Sequence, residues 1–155
     1  MGIRPNFTRD DVQRRMDAML AAIEEAQIKR LERLGEECLT EARRSKTYTM
    51  QTGALLSSTG YMIFLDGIAL HNRFDAASGA ESAAASKGIK TGQTLAEAIG
   101  KKTKGVALVV VAGMEYAEYV EAKGYNVLST ANHLAQQRLP QVLQKLIDNI
   151  NRAAQ

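Results

Sequence analysis

The side chains that could do chemistry are few and scattered. Neither histidine, His71 or His133, has a Cys, His or carboxylate at metal-ligand spacing, so no zinc site is predicted. The single cysteine, Cys38, lies in an apolar helical pattern, whereas a nucleophilic thiol needs an electropositive, partly exposed setting. Ser57-Ser58 lacks the Gly-x-Ser-x-Gly elbow of serine hydrolases. The sequence therefore predicts no catalytic, metal-binding or cofactor-binding residue and no enzyme, with Cys38 as a core residue.

Two further patterns suggest ligand binding only at first sight. Gly100-Lys101-Lys102-Thr103 resembles part of a phosphate loop, but such a loop needs a second glycine at the position of Leu95 and must open a helix. Glu115, Glu118 and Glu121 share one face of a short helix, but their spacing supplies too few oxygen ligands for a hard cation. We expect these glutamates to form a solvated or salt-bridged face.

The positive charge of the chain is concentrated in one region. Residues 87–104 carry five lysines and only Glu97 as a counter-charge, a net charge of +4. The five are Lys87, Lys90, Lys101, Lys102 and Lys104. Such a cluster indicates either a solvated loop or a surface for nucleic acid or an acidic partner. A small nucleic-acid-binding module is thus an alternative function, although no aromatic residues are interleaved with the lysines.

The bulk properties fit one globular domain. A chain of 155 residues can bury a core of its own, and we predict a single domain over residues 1–155. The longest apolar run, Val106 to Gly113, is far below the ~20 residues of a membrane span, so no membrane partner is predicted. The N-terminus lacks the apolar segment of a secretory signal. One cysteine suits a reducing cytosol.

The pattern of residues 9–45 predicts one long helix. Thr8 is the expected N-cap, and apolar residues recur in steps of three and four from Val12 to Ala42. At 1.5 Å per residue the helix would span about 50 Å, more than a domain of this size can cover, so one end is expected to project. Gly35 is the expected weak point of the helix.

A hairpin and a loop are predicted next. Asp66-Gly67 between two apolar runs is a strong hairpin signal, and it predicts strands at about 55–65 and 68–72. Residues 72–92 lose periodicity and include a segment rich in Ala, Ser and Gly, so a flexible loop is expected there. A short helix should follow, with Thr94 as its N-cap and Gly100 as its end.

The rest of the chain predicts a strand and two helices. Val106 to Ala112 has no polar residue, which predicts a strand buried on both faces or central in its sheet. A short helix over 116–122 and a long one over 129–152 follow, and Pro140 should kink or restart the latter. The fold class is α+β, with a long N-terminal helix, a small mostly antiparallel sheet and a C-terminal helix.

Two short segments, read together, resemble a known family. They are Thr52-Gly53-Ala54-Leu55-Leu56-Ser57-Ser58 and, after the valine-rich strand, Tyr116-Ala117-Glu118-Tyr119-Val120-Glu121. In order and layout they are similar to the Thr-Gly-x-Leu-x-Ser-Ser and Tyr-Ala-x-Tyr-Val-Glu motifs of the tail-component, head–tail joining and tail-completion proteins of long-tailed bacteriophages. The chain departs from the family pattern at Ala54 and Leu56. Its segment after Glu121 resembles the variant found in phages and prophages of Bacteroides-type gut bacteria.

The resemblance implies a structural protein of the virion, assembled in the host cytoplasm as a ring of the neck or tail. A hexamer is the form it implies, with neighbouring neck and tail proteins as partners. The sheet and the helix with Tyr116 and Tyr119 would form the core, while the long helix and the 72–92 loop would contact other subunits. The lysine cluster would face the DNA channel, where phosphate attraction gives contacts that ignore base sequence.

Overall fold

The chain folds as an α+β domain with a three-stranded antiparallel sheet, as predicted. A computed structural model describes Gly2 and residues 6–155. The helices are α1 (Arg9–Arg44), α2 (Ala54–Ser57), α3 (Ser82–Gly100), α4 (Ala117–Ala122) and α5 (Ser129–Ala153). The strands are β1 (Thr59–Leu65), β2 (Ile68–Arg73) and β3 (Val106–Ala112), in the sheet order β2-β1-β3.

Helix α1 begins as predicted. The Thr8 hydroxyl accepts a hydrogen bond from the backbone N–H of Asp11, and the Asp11 carboxylate accepts one from the backbone N–H of Thr8. This capping box satisfies two of the backbone donors left free at a helix N-terminus. The buried residues of α1 are confined to its second half, Leu34 to Ala42, while Met16 and other apolar residues before them are exposed. The N-terminal part of α1 therefore extends beyond the core.

The predicted weak point of α1 has a packing role. The Tyr61 ring of β1 lies against Gly35, so close that a Cβ there would stand 2.7 Å from the ring. The Tyr61 hydroxyl donates to the Glu36 carboxylate at 2.8 Å. Glycine at this position lets α1 approach the sheet, and the helix continues through it without a break.

The hairpin between β1 and β2 is confirmed at its turn and corrected at its start. Asp66 and Gly67 have φ angles of 48° and 80°, the left-handed values that a type I′ turn requires. The first strand, however, begins at Thr59 rather than at about 55. Residues 54–57 form the helical turn α2, because Gly53 (φ 83°) reverses the chain immediately before it.

The valine-rich strand is covered on both faces, which is one of the two predicted arrangements, but it is not the central strand. β3 lies at an edge of the sheet, and β1 is the central strand, buried along almost its whole length. The apolar composition of β3 is explained by packing on both of its faces. Val109 and Val111 pack with Phe64 on the α3 face, while Leu108 and Val110 pack on the α1 face. Two covered faces produce an apolar strand even where one edge is free.

The predicted flexible loop over 72–92 is also wrong in its second half. Helix α3 begins at Ser82 and runs unbroken to Gly100, so Thr94 lies inside it and only the predicted end is confirmed. Alanine has the highest helix propensity, and small residues form the buried stripe of α3. That stripe consists of Ala85, Gly88, Gly92, Ala96 and Gly100. Their small size lets the helix pack against the backbone of α2 and β1.

Helix α5 packs beside α1 in the antiparallel direction. The Cys38 thiol lies 3.7 Å from the carbonyl oxygen of Ala131, and Arg138 forms an ion pair with Glu37 at 3.0 Å. Pro140 lies within α5, which is assigned as one continuous helix rather than two. Among the described residues, no helix is both long enough and apolar enough to span a membrane.

Candidate functional site at the junction of the two motifs

Ser58, the last residue of the first motif, binds the segment immediately before the second motif. Its side-chain oxygen accepts hydrogen bonds from the backbone N–H groups of Gly113 at 3.1 Å and Met114 at 3.3 Å. The same hydroxyl donates to the carbonyl oxygen of Leu55 at 2.7 Å. Ser58 is fully buried, so its hydroxyl links the two segments and is not available as a nucleophile. We call this contact region the motif junction, comprising residues 48–58 and 113–121.

Ser57 ties a third segment to the motif junction. Its side-chain oxygen accepts a hydrogen bond from the backbone N–H of Ala77 at 2.9 Å, in the connection between β2 and α3. A buried N–H without such an acceptor would destabilise the fold. Helix α3 then approaches closely: a Cβ added to Gly88 would stand 2.3 Å from the carbonyl oxygen of Ala54. The Ser-Ser pair and the small residues of α3 thus hold the first motif in place.

A cavity of about 350 Å³ opens at the surface of the motif junction. It is lined on one side by the chain from Tyr48 to Leu56 and on the other by Tyr116, Tyr119 and Val120. Six of the ten motif residues therefore line one concavity: Thr52, Gly53, Leu55, Tyr116, Tyr119 and Val120. The contribution of residues 48–51 could not be predicted, because they carry no motif.

The two motif tyrosines do not anchor α4 to the core, contrary to the sequence prediction. The exposed fractions are 43% for Tyr116 and 61% for Tyr119. Ala117 is the buried residue of α4, and it packs with Leu55 and Val127. A helix of six residues directs little more than one side chain inward, and Ala117 takes that position.

Two of the tyrosines around the cavity, the exposed Tyr119 and the half-buried Tyr48, lie beside positive charge. The ammonium group of Lys123 stands 4.7 Å from the centre of the Tyr119 ring, and that of Lys46 stands 5.8 Å from the centre of the Tyr48 ring. Both distances fit cation–π interactions. Burial raises the pKa of Tyr48 to about 12, with a smaller contribution from Tyr116 nearby. The cavity thus has an aromatic rim with two lysines beside it.

Glu121, the last motif residue, has a structural role that the sequence did not predict. Its carboxylate accepts hydrogen bonds from the backbone N–H groups of Leu128 at 3.1 Å and Ser129 at 2.8 Å, and from the Ser129 hydroxyl. Burial alone would raise the pKa of Glu121, but these hydrogen bonds lower it below its ordinary value. The carboxylate caps the N-terminus of α5, where the helix dipole favours negative charge. Glu115 and Glu118 are exposed, as expected.

The five lysines of the basic region are all exposed. Lys87 and Lys90 lie on α3, whereas Lys101, Lys102 and Lys104 lie at its end and in the connection to β3. Among the residues that the structure describes, none of the five forms a salt bridge within the chain. This surface is separate from the motif junction, since no lysine of the set lines the cavity there.

The histidines and the cysteine are placed as the sequence predicts. His71 is exposed on β2 and His133 is exposed on α5. The described residues contain no group of three or more His, Cys, Asp or Glu side chains that could hold a metal ion. Cys38 is buried in the core, and burial, assisted by the charge of Glu37, raises the pKa of its thiol. A thiol in this state is a poor nucleophile.

A larger groove lies between β3, α1 and α5. Its volume is about 700 Å³, and its walls include Leu34 of α1, Leu108 and Val110 of β3, and Leu139 and Leu143 of α5. We call it the edge groove, because it runs beside the free edge of β3. No local sequence pattern predicts this groove, because it forms between three elements that are distant along the chain.

Comparisons of the chain with protein-family models, with curated proteins and with solved structures found no match.

Proposed function

We propose that this chain is a structural protein of a bacteriophage or prophage neck or tail, which acts by assembling into a ring of the virion. The observation that carries the proposal is the convergence of the two motifs at one exposed site. Motif residues with internal roles (Ser58, Ala117, Glu121) are buried or hydrogen-bonded, whereas Tyr116 and Tyr119 are held at the surface around a cavity. A conformationally fixed aromatic surface suits a contact between proteins.

The projecting part of α1 also supports an assembly role. Its apolar residues, among them Val12, Met16 and Leu20, recur at helical spacing and are exposed. A stripe of this kind is costly in water unless another surface covers it. In the proposed ring, these residues and the aromatic rim of the motif junction contact neighbouring subunits or the adjacent ring.

The proposal is tested in the particle. Where the gene lies in an inducible prophage or phage, its deletion should leave filled heads and separate tails, or no tails, in electron micrographs. Complementation with the wild-type gene should restore whole particles that contain the chain when analysed by mass spectrometry. Normal particles from the deletion strain, or particles that lack the chain, would contradict the proposed function.

A second candidate is a nucleic-acid-binding module, and the exposed lysines of residues 87–104 favour it. Binding through phosphate contacts alone would weaken steeply as the salt concentration rises and would be insensitive to sequence. A titration of labelled duplex DNA across salt concentrations separates the candidates. Tight binding to one sequence by a monomer would favour the second candidate, whereas weak binding that disappears with salt fits a ring around DNA.

A further inference from the structure

The outer edge of β3 carries unpaired backbone groups. At the two ends of the β1–β3 pair, the N–H of Asp66 donates to the carbonyl of Gly105 and the N–H of Gly113 donates to that of Ser58. Because backbone direction alternates along a strand, the residues between them at even positions point their N–H and C=O groups away from β1. These are Val106, Leu108, Val110 and Ala112. In the described part of the chain, no strand pairs with them.

This edge has none of the features that normally protect one. β3 contains no charged residue and no proline, and it extends over seven residues. Exposed edges of that kind tend to add a further strand, and natural proteins usually blunt or cover them.

The edge groove has the position of a missing fourth strand. Helix α1 packs over β1 and β3, whereas α5 packs on α1 and its Leu139 and Leu143 face the groove beside β3. Neighbouring strands lie about 4.8 Å apart, so a strand added to β3 would run beneath α5. The apolar walls of the groove would then cover one face of that strand.

The opposite face beside β3 is apolar as well. On α3, Gln93 donates to the Asn72 side chain of β2 at 3.3 Å, so that side of the helix faces β2. Leu95 lies about 200° further around the helix, which directs it towards the edge of β3, and Ile99 follows one turn later. Both side chains are partly exposed. An added strand would therefore be covered from both faces.

Strand β2 has complementary properties. All six of its residues are exposed, and Ile68, with an exposed fraction of 68%, is its most exposed apolar residue. Ile68 pairs with Leu65, and Arg73 pairs with Tyr61, on the face of the sheet that α1 covers elsewhere. The edge of β2 away from β1 is unpaired in the described residues. β2 thus has the free edge and the uncovered apolar residue that the edge groove could accept.

We propose that β2 of a second copy of this chain adds to β3, parallel to it, with Ile68 inserted into the edge groove. The inference rests on the proposed function, and it identifies the contact between neighbouring subunits of the ring. The orientation follows from the fold, because β2 and β3 are both antiparallel to β1 and a continuous sheet keeps their directions. One edge meets a different edge, so the contact is heterologous and repeats until a ring closes.

The charges at the starts of the two strands are complementary in this arrangement. The start of β3 carries the exposed side chains of Lys101, Lys102 and Lys104, and it would adjoin Asp66 at the start of the second copy's β2. At the other end, Arg73 is already ion-paired with Glu36 and Asp75 of its own chain, so the exposed Glu115 after β3 adds no complementary charge there. A two-fold pairing of β3 with another β3 would leave β2 and Ile68 uncovered.

Disulfide trapping tests the contact on the full chain. In a Cys38→Ala background, Ile68→Cys and Leu143→Cys place one thiol on β2 and one on the groove wall near Val106, beside which Ile68 would lie. The chain carrying both cysteines should give a ladder of oxidised oligomers on a non-reducing gel. Mixing the two single variants should give one mixed dimer. The matched control pairs Tyr125→Cys, an exposed position outside the proposed contacts, with Leu143→Cys and should give no ladder.

Each result decides for or against the inference. Dimers from Leu143→Cys alone, without any from Ile68→Cys, would indicate two-fold pairing and overturn it. Rings seen by native mass spectrometry or electron microscopy without the 68–143 cross-link would overturn this contact but leave the proposed function intact. A chain that stays monomeric at millimolar concentration, forms no cross-link and is not needed for particle assembly would contradict both.

Discussion

The Ser58 hydroxyl joins two segments of the chain that are 55 residues apart, accepting the backbone N–H of Gly113 at 3.1 Å. Ser58 precedes β1 and Gly113 follows β3, so the bond closes one end of the central strand pair. The Gly113 N–H also contacts the Ser58 carbonyl oxygen, and the Met114 N–H reaches the hydroxyl. One buried side chain therefore contributes three hydrogen bonds to the alignment of the motif junction.

Replacement of Ser58 by Ala should reduce the free energy of unfolding by about 1–3 kcal/mol. The Met114 N–H would lose its hydrogen-bond acceptor, and the Gly113 N–H would lose one of its two acceptors. Urea denaturation followed by circular dichroism measures the change. Ser86→Ala, at an exposed position of α3, is the control and should shift stability by less than about 0.5 kcal/mol. Equal stability of the two variants would show that the hydroxyl is dispensable.

Replacement of Gly92 by Ala should destabilise the fold, although alanine favours a helix by about 1 kcal/mol over glycine. A Cβ at this position would stand 2.4 Å from the Ser58 carbonyl oxygen and 2.6 Å from the Phe74 ring. Overpacking of this kind costs about 1–3 kcal/mol. The measurement compares the thermal unfolding midpoints of the wild-type chain, Gly92→Ala and the control Thr94→Ala, which lies on the exposed side of the same helix. A midpoint for Gly92→Ala above that of the wild-type chain would mean that α3 can move away from the motif junction.

The sequence predicts the elements whose signals are local. Thr8 with Asp11 marks the start of α1, the Asp66-Gly67 turn marks the hairpin, and the apolar periodicity of α5 marks the last helix. Each depends on contacts within a few residues, so the chain itself carries the information. Cys38 was likewise predictable as core, because it lies on the apolar stripe of α1.

The sequence fails where the outcome depends on partners distant along the chain. The first half of α3 is predicted as a low-complexity loop, because its small residues form no apolar stripe. Gly88 and Gly92 favour the helix only because they allow it to pack closely against Ala54 and Ser58, and this contact is not visible in the local sequence. Tyr119 is predicted as an anchor from its spacing, yet Ala117 takes the inward position against Leu55 and Val127, and Tyr119 is exposed. Whether a strand lies at the edge or in the centre of a sheet is likewise set by pairing and not by composition, so the sequence predicts the covered faces of β3 but not its edge position.

Two tyrosines should resist ionisation as the pH rises. Burial raises the pKa of Tyr48 to about 12, and burial together with the Glu36 hydrogen bond raises the pKa of Tyr61 further. A folded-state pKa above the unfolded value favours the neutral phenol. The resulting stability is therefore complete below about pH 10 and is lost as the pH rises through the folded pKa.

The measurement is an absorbance titration of tyrosinate, combined with denaturation at pH 8 and pH 11. The wild-type chain should lose more stability between these pH values than Tyr48→Phe, which has no phenol to ionise at that position. Tyr125→Phe, at an exposed position, is the matched control and should behave like the wild type. Equal pH dependence in all three chains would refute a role for Tyr48 burial.

Replacement of Tyr119 by Ser should separate folding from assembly. The ring of Tyr119 is largely exposed and contacts Lys123 by a cation–π interaction worth about 0.5–1 kcal/mol at such sites, so the isolated chain should lose little stability. If the rim of the motif junction contacts a partner protein, losing a central aromatic side chain should weaken that contact by about 2 kcal/mol or more, roughly 30-fold in affinity. Complementation of a deletion strain, with particle titre as the readout, compares Tyr119→Ser with Tyr125→Ser, an equivalent exposed tyrosine outside the cavity. The expected result is a large fall in titre for the first variant alone, at equal thermal midpoints. Equal titres for both variants would assign the exposed tyrosines no part in assembly, and the partner contact would then lie elsewhere on the chain.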